Sequence, residues 1–202
     1  MDDLRALARP MVSEVPDVVR VLMPDGQIVE MPTDTYLKGV VPAEMGYVFR
    51  RAAAALEAQA IAARTYASAH CLPASAGDPA VCEAGLDANV DTTTATQVWR
   101  PVHYDTSDAA VDTTHGQVVR VSGALVPTLY FARTRGRTLS SEDSRCCGGT
   151  AWSFLRSVSS PDAFGTRWGH GAGMSQEGAA VLADWGGQRD RARCGAVLHR
   201  GV

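Results

Sequence analysis

The chain has 202 residues, enough for one domain with a substantial core, and its 46% hydrophobic and 20% charged content is that of an ordinary globular protein. A formal net charge of −3 argues against a general nucleic-acid binder, because no basic excess is present to neutralise phosphates. No window holds the roughly 18 apolar residues that a membrane span needs, and the N-terminus lacks the apolar stretch of a signal peptide.

In chain order, residues 1–17 read as an N-terminal extension and residues 18–202 as a single domain. "VVRVLMPDGQI", from Val18, predicts a β-hairpin around a Pro-Asp-Gly turn. Thr33 and Asp34 are N-cap candidates for a short helix through "TYLKGVV". Pro42 is expected to break that helix, which places Glu44 on irregular backbone. From Arg50 to Ala69 an alanine-rich run predicts a long helix, with Leu56, Ala60, Ala63 and Ala67 on one stripe and Gln59 and Tyr66 flanking it. A loop follows to about Asn89. Strands are expected around Val98, Val119 and Tyr130, with "SFLRSV" as an edge strand, and a short helix over Gly178 to Trp185. The order favours an α+β domain with a mostly antiparallel sheet, one long Ala-rich helix and a short C-terminal helix.

The five cysteines suit an oxidising compartment. Cys71 and Cys82 are expected to form a disulfide in preference to a metal site with His70, since no CxxC pair or HExxH is present. The clusters Arg133, Arg135, Arg137 and Arg189, Arg191, Arg193 read as solvated surface. "WGHGAGMSQEGAA", from Trp168, has neither the dinucleotide-loop spacing nor the lysine of a P-loop. No GxSxG elbow points to a serine nucleophile. Acid–base chemistry by a carboxylate remains, with Glu44 the candidate. Its apolar neighbours favour a protonated carboxyl, and pairing with an arginine such as Arg64 is the structural alternative.

Together, "YLKGVVPAEMG", "ALEAQAIAARTYA", "DTTTATQVW", "WGHGAGMSQEGAA" and the closing "AVLHRGV" resemble the sporulation stage II protein D family, the SpoIID/LytB domain, from about Val18 to the C-terminus. The resemblance implies a bacterial cell-wall protein. Its enzyme members are lytic transglycosylases that cleave the MurNAc–GlcNAc β-1,4 bond of peptidoglycan without water, leaving 1,6-anhydro-MurNAc ends. The position matching the family's acid/base is Glu44. One glutamate suffices, because the sugar's own C6 hydroxyl is the nucleophile.

Substrate-side roles are expected for Gln59, Arg64, Tyr66, Tyr130, His170, Gly171, Gly173, Ser175 and Gln176, the glycines by letting backbone approach the sugar or the Glu44 turn. For Arg64 and Tyr66 a structural brace is an equal expectation, and Met174 and Trp168 are expected to pack. The zinc site of some relatives falls on Ala95 and Thr96 here, so no metal or cofactor is expected. "YFARTRGRT" departs from the family's serine- and glycine-rich strand end. The implied partners are peptidoglycan glycan strands and a cell-wall amidase or other wall-remodelling protein, with an extracytoplasmic location. The competing expectation is a non-catalytic amidase enhancer.

Overall fold

The computed structural model describes residues 15–46, 49, 51–70, 88–163 and 165–186. The Cys71–Cys82 pair, Cys194, most of the N-terminal extension, the second arginine cluster and the closing "AVLHRGV" lie outside the described residues.

The predicted hairpin forms from β1 (Val18–Leu22) and β2 (Ile28–Pro32), paired antiparallel from Val18↔Pro32 to Leu22↔Ile28. Its turn closes where Gly26, at φ 84°, donates its N–H to the Met23 carbonyl. Val19 and Val21 point inward, as strand alternation requires. A third strand, β3 (Val90–Asp91), pairs parallel to β1.

Helix α1 (Thr33–Met45) starts directly after β2, with Pro32 at its N-cap and no side-chain cap. The expected break at Pro42 does not occur. Pro42 lies inside α1, close enough to the end that its missing N–H costs one bond of the last turn, and Gly46 donates back to the Pro42 carbonyl to close it. Tyr36, Leu37, Val40, Val41 and Met45 anchor this helix in the core. Glu44 therefore sits in a helical last turn.

Helix α2 (Ala53–Ala69) is the long Ala-rich helix, and it packs against α1, α3 (Asp105–Thr113) and α4 (Gln176–Gly186). Its expected stripe of Leu56, Ala60, Ala63 and Ala67 is buried, and so is most of the rest of its surface, including Arg64 at 1% exposure. Small side chains let three helices approach one axis. The two terminal nitrogens of Arg64 donate to Asp34 of α1 at 2.9 Å, to the carbonyls of Val111 and Gln117, and to the Thr114 hydroxyl.

Helix α3 was not apparent from sequence, where its nine residues hold only three apolar side chains, Ala109, Ala110 and Val111. The strand expectations around Val119 and Tyr130 shrink to two-residue pieces. β4 (Arg120–Val121) pairs antiparallel with β5 (Ala124–Leu125) through a Ser122–Gly123 turn, both residues at positive φ. β6 (Tyr130–Phe131) pairs parallel with β7 (Met174–Ser175). Residues around Val98 are extended but unpaired, and "SFLRSV" contains no strand. The domain is α+β, as expected, but its strands are divided among three small sheets.

Gly39 fixes how the segment after β3 crosses α1. A Cβ at Gly39 would stand 2.2 Å from the Trp99 indole nitrogen and 2.8 Å from the Arg100 carbonyl oxygen. Gly39→Ala is expected to cost about 1–3 kcal/mol by overpacking, read as a lower urea midpoint. An unchanged midpoint would mean that the crossing is not tight.

Candidate functional site

The segment held against α1 by Gly39 delivers the first polar contact to the candidate acid. The Val98 N–H donates to Glu44 Oε1 at 2.6 Å. The next residue back, Gln97, is buried; it accepts from the Tyr36 hydroxyl at 3.0 Å and donates to the Ala63 carbonyl at 3.1 Å, tying α1 to α2. From the other end of the chain, the Gln176 side chain hydrogen-bonds the Glu44 carboxylate and donates to Gln59 Oε1 at 3.3 Å. Burial pushes the Glu44 carboxyl above the usual carboxylate range, and the two hydrogen bonds offset this only in part. No other carboxylate acts on it among the described residues.

Gln176 is placed by the glycine-rich loop. Ser175, just before α4, accepts the Gly178 N–H at 3.1 Å, an N-cap. The Ser175 hydroxyl donates to Asp162 at 2.7 Å. Asp162 is fully buried and also accepts from the Thr134 N–H at 2.6 Å, the Thr134 hydroxyl at 2.9 Å and the Ser160 hydroxyl. Burial alone pushes its carboxyl up, but these donors outweigh it and hold Asp162 below the usual range. Gly173, at φ 88°, leaves no room for a Cβ, which would meet the Leu129 carbonyl oxygen at 2.0 Å. The glycine approaches strand β6, where the sequence suggested the sugar or the Glu44 turn.

A cavity of about 190 Å³ opens beside this core. Tyr66, Tyr130 and His170 line it, with Thr94 to Thr96 along one side and Thr128, Leu129 and Cys146 completing the wall. His170 Nε2 faces the Tyr130 carbonyl oxygen at 2.9 Å. The Tyr130 hydroxyl is buried beside Gln97 and near the Glu44 charge. Burial and the Glu44 charge push both the Tyr36 and Tyr130 phenols far up, so both stay neutral.

Of the residues expected on the substrate side, Tyr66, Tyr130 and His170 line this cavity. Gln176 touches Glu44 and Gln59 supports Gln176. Gly171, Gly173 and Ser175 are buried behind the wall. Arg64 is the brace between helices described above, and its burial leaves no surface for a sugar. Met174 packs as expected; Trp168 does not, being 68% exposed beside Arg133. Arg133 itself pairs with Glu177 at 3.1 Å.

Residues 25–120 match the family model for stage II sporulation protein, SpoIID. This part of the chain is similar to the SpoIID domain. The matched part contains Glu44, the Gln59–Tyr66 face of α2 and the Val98 segment, and ends before Tyr130, His170 and Gln176. The SpoIID likeness suggests a sporulation-related, cell-wall-associated function. No curated protein matches the chain. Among the described residues, no helix is long and apolar enough to cross a membrane.

Two stability measurements follow from the two carboxyls. Glu44 binds its proton more tightly folded than unfolded, so its burial lowers stability as pH rises from the unfolded carboxyl pKa towards the raised folded value, and fully above it. Glu44→Gln should raise the urea midpoint at pH 8 and converge with wild type at about pH 4 or below. Asp162 has the opposite sign: its stabilisation is present above the unfolded pKa and is lost as pH falls through the depressed folded value. Asp162→Asn should cost about 2–3 kcal/mol at neutral pH, with a shallower acid unfolding curve.

Proposed function

We propose that the protein is a peptidoglycan lytic transglycosylase with Glu44 as its single acid/base. The observation that carries this reading is a partly buried carboxyl with a raised pKa, two hydrogen-bond donors and no second carboxylate acting on it. Glycosidases that use water or a covalent intermediate work with a carboxyl pair about 5–9.5 Å apart. A lone carboxyl fits a reaction in which the substrate supplies its own nucleophile.

The protonated Glu44 gives its proton to the glycosidic oxygen as the bond to C1 breaks. The carboxylate left behind takes the proton of the MurNAc C6 hydroxyl while that oxygen closes on C1, which yields the anhydro end and regenerates the acid. Tethering the nucleophile to the same sugar removes the entropy of bringing in a water. Val98 and Gln176 hold the carboxylate in place between the two transfers. Thr94 and Thr96, which line the cavity, offer hydrogen bonds to sugar hydroxyl and N-acetyl groups. The substrate class sets the location as extracytoplasmic.

A second reading, a glycan-binding enhancer of a wall amidase, draws on one observation: Glu44 is not among the residues that line the cavity. The two readings separate on purified glycan strands, with and without stem peptides. Wild type should release anhydro-muropeptides, detected by mass spectrometry, and Glu44→Gln should lower the rate at least 100-fold, the usual size of a general acid–base contribution. The rate should also fall as pH rises through the raised Glu44 pKa, as the acid is lost. Amidase stimulation without anhydro products would establish the enhancer instead.

A further inference from the structure

Cys146 is the middle residue of a short 3-10 turn, Arg145–Cys147; it is exposed and lines the cavity together with His170. Neither residue's chemistry is used by the acid/base scheme. The Cys146 Sγ lies 3.0 Å from Cys147 Sγ and 3.1 Å from the Ser144 hydroxyl, which donates to the His170 carbonyl at 2.7 Å and so holds the thiol and the imidazole on one cavity wall. The fold also sets the imidazole tautomer. The Tyr130 carbonyl can accept only an N–H, so Nε2 carries the proton and Nδ1, which accepts weakly from the Ala172 N–H at 3.3 Å, is the basic nitrogen. A thiol, a base and a small enclosed volume therefore meet at one place.

We propose that Cys146 is a thiol-modification site for low-molecular-weight disulfides, with His170 as its base, and that the adduct fills the cavity next to Glu44. The second half of this inference, control of glycan access, rests on the proposed transglycosylase reading; the first half does not. In the exchange, His170 Nδ1 takes the Cys146 proton and the thiolate attacks one sulfur of the disulfide. The S–S bond of the reagent breaks, a new Cys146–S–S–R bond forms, and the departing thiolate takes the proton from the imidazolium. No net oxidant beyond the disulfide is consumed. Excess thiol runs the exchange backwards.

The neighbouring thiol does not compete. Cys147 is buried, and burial together with Cys146 pushes its thiol up to about 12. Burial also pushes Cys146 up, but hydrogen bonds from His170, Cys147 and Ser144 outweigh it and hold that thiol at about 7. The titratable groups facing it are His170 from the glycine-rich loop, Cys147 from its own turn and Tyr66 from α2, whose phenol, raised to about 12, is neutral. Reactive thiols occur in this setting, partly exposed and beside a histidine.

The test uses the full reduced chain and 2-hydroxyethyl disulfide, read by intact mass and peptide mapping. One adduct at Cys146 is expected, released by dithiothreitol, with a pH–rate midpoint near 7 where an ordinary thiol gives about 8.5. Cys147→Ser should keep the adduct and Cys146→Ser should lose it. His170→Gln should slow it at least tenfold, while the wild-type pH profile stands even if that variant misfolds. Reaction at Cys146 no faster than in the denatured chain would overturn the site. An adduct that forms at Cys146 but leaves glycan binding and cleavage unchanged would overturn the control of access. Adduct formation in a protein with no glycan activity at all would support the thiol site and remove the transglycosylase reading.

Discussion

The Trp99 side chain and the Arg100 backbone cross tightly over Gly39, and the site depends on that crossing. With no side chain at Gly39, the strap from Thr92 to Arg100 lies flat on α1. It can then turn the Val98 N–H onto Glu44 and insert Gln97 between Tyr36 and the α2 backbone. A helix surface with a Cβ there would lift the strap by ångströms. In the proposed reaction the Glu44 carboxyl holds a proton in one step and accepts one in the next, and that donor stays at hydrogen-bond distance through both.

Glu44 and Asp162 show how the number of donors decides what a buried carboxyl is for. Both lose water on folding. Asp162 recovers its hydration from a backbone N–H and three hydroxyls and stays charged, so it acts as a fixed knot joining the 134–136 turn, Ser160 and the start of α4. Glu44 recovers less and is left nearer to neutrality. Asp34, partly exposed, takes a third course: Arg64 and His115 reach it from two other elements and hold it below its usual range against the effect of burial. The polar groups thus separate into braces and one poised acid.

The hairpin and the alanine-rich helix were legible because each rests on local rules, a Pro-Asp-Gly turn and strong helix formers; the C-terminal helix was expected from Gly178, and the Ser175 cap starts it at Gln176. Glu44 was legible from its apolar neighbours and its motif. What escaped was set by tertiary contacts. Pro42 was read as a break, yet burial of Val40, Val41 and Met45 carries the helix through it. The α3 sequence "DTSDAAVDT" has too few apolar residues to announce a helix, and it forms because Ala110 and Val111 dock into the core. The strand-like runs near Tyr130 met no long partner, so only two-residue ladders remain. Nothing in the sequence around Gly39 marks it as a crossing point, and the Cys146–His170 pair is assembled from distant segments.

The Gln176–Gln59 bond spans 117 residues, and Gln176 also reaches Glu44. Such long-range contacts form late, because the whole intervening chain must be ordered before the two ends meet. During synthesis the N-terminal part emerges first, with its acidic side chain solvated and ordinary. Burial raises the Glu44 carboxyl and the Gln176 hydrogen bond pulls it part of the way back, so docking of the head of α4 tempers the proton affinity that burial sets up.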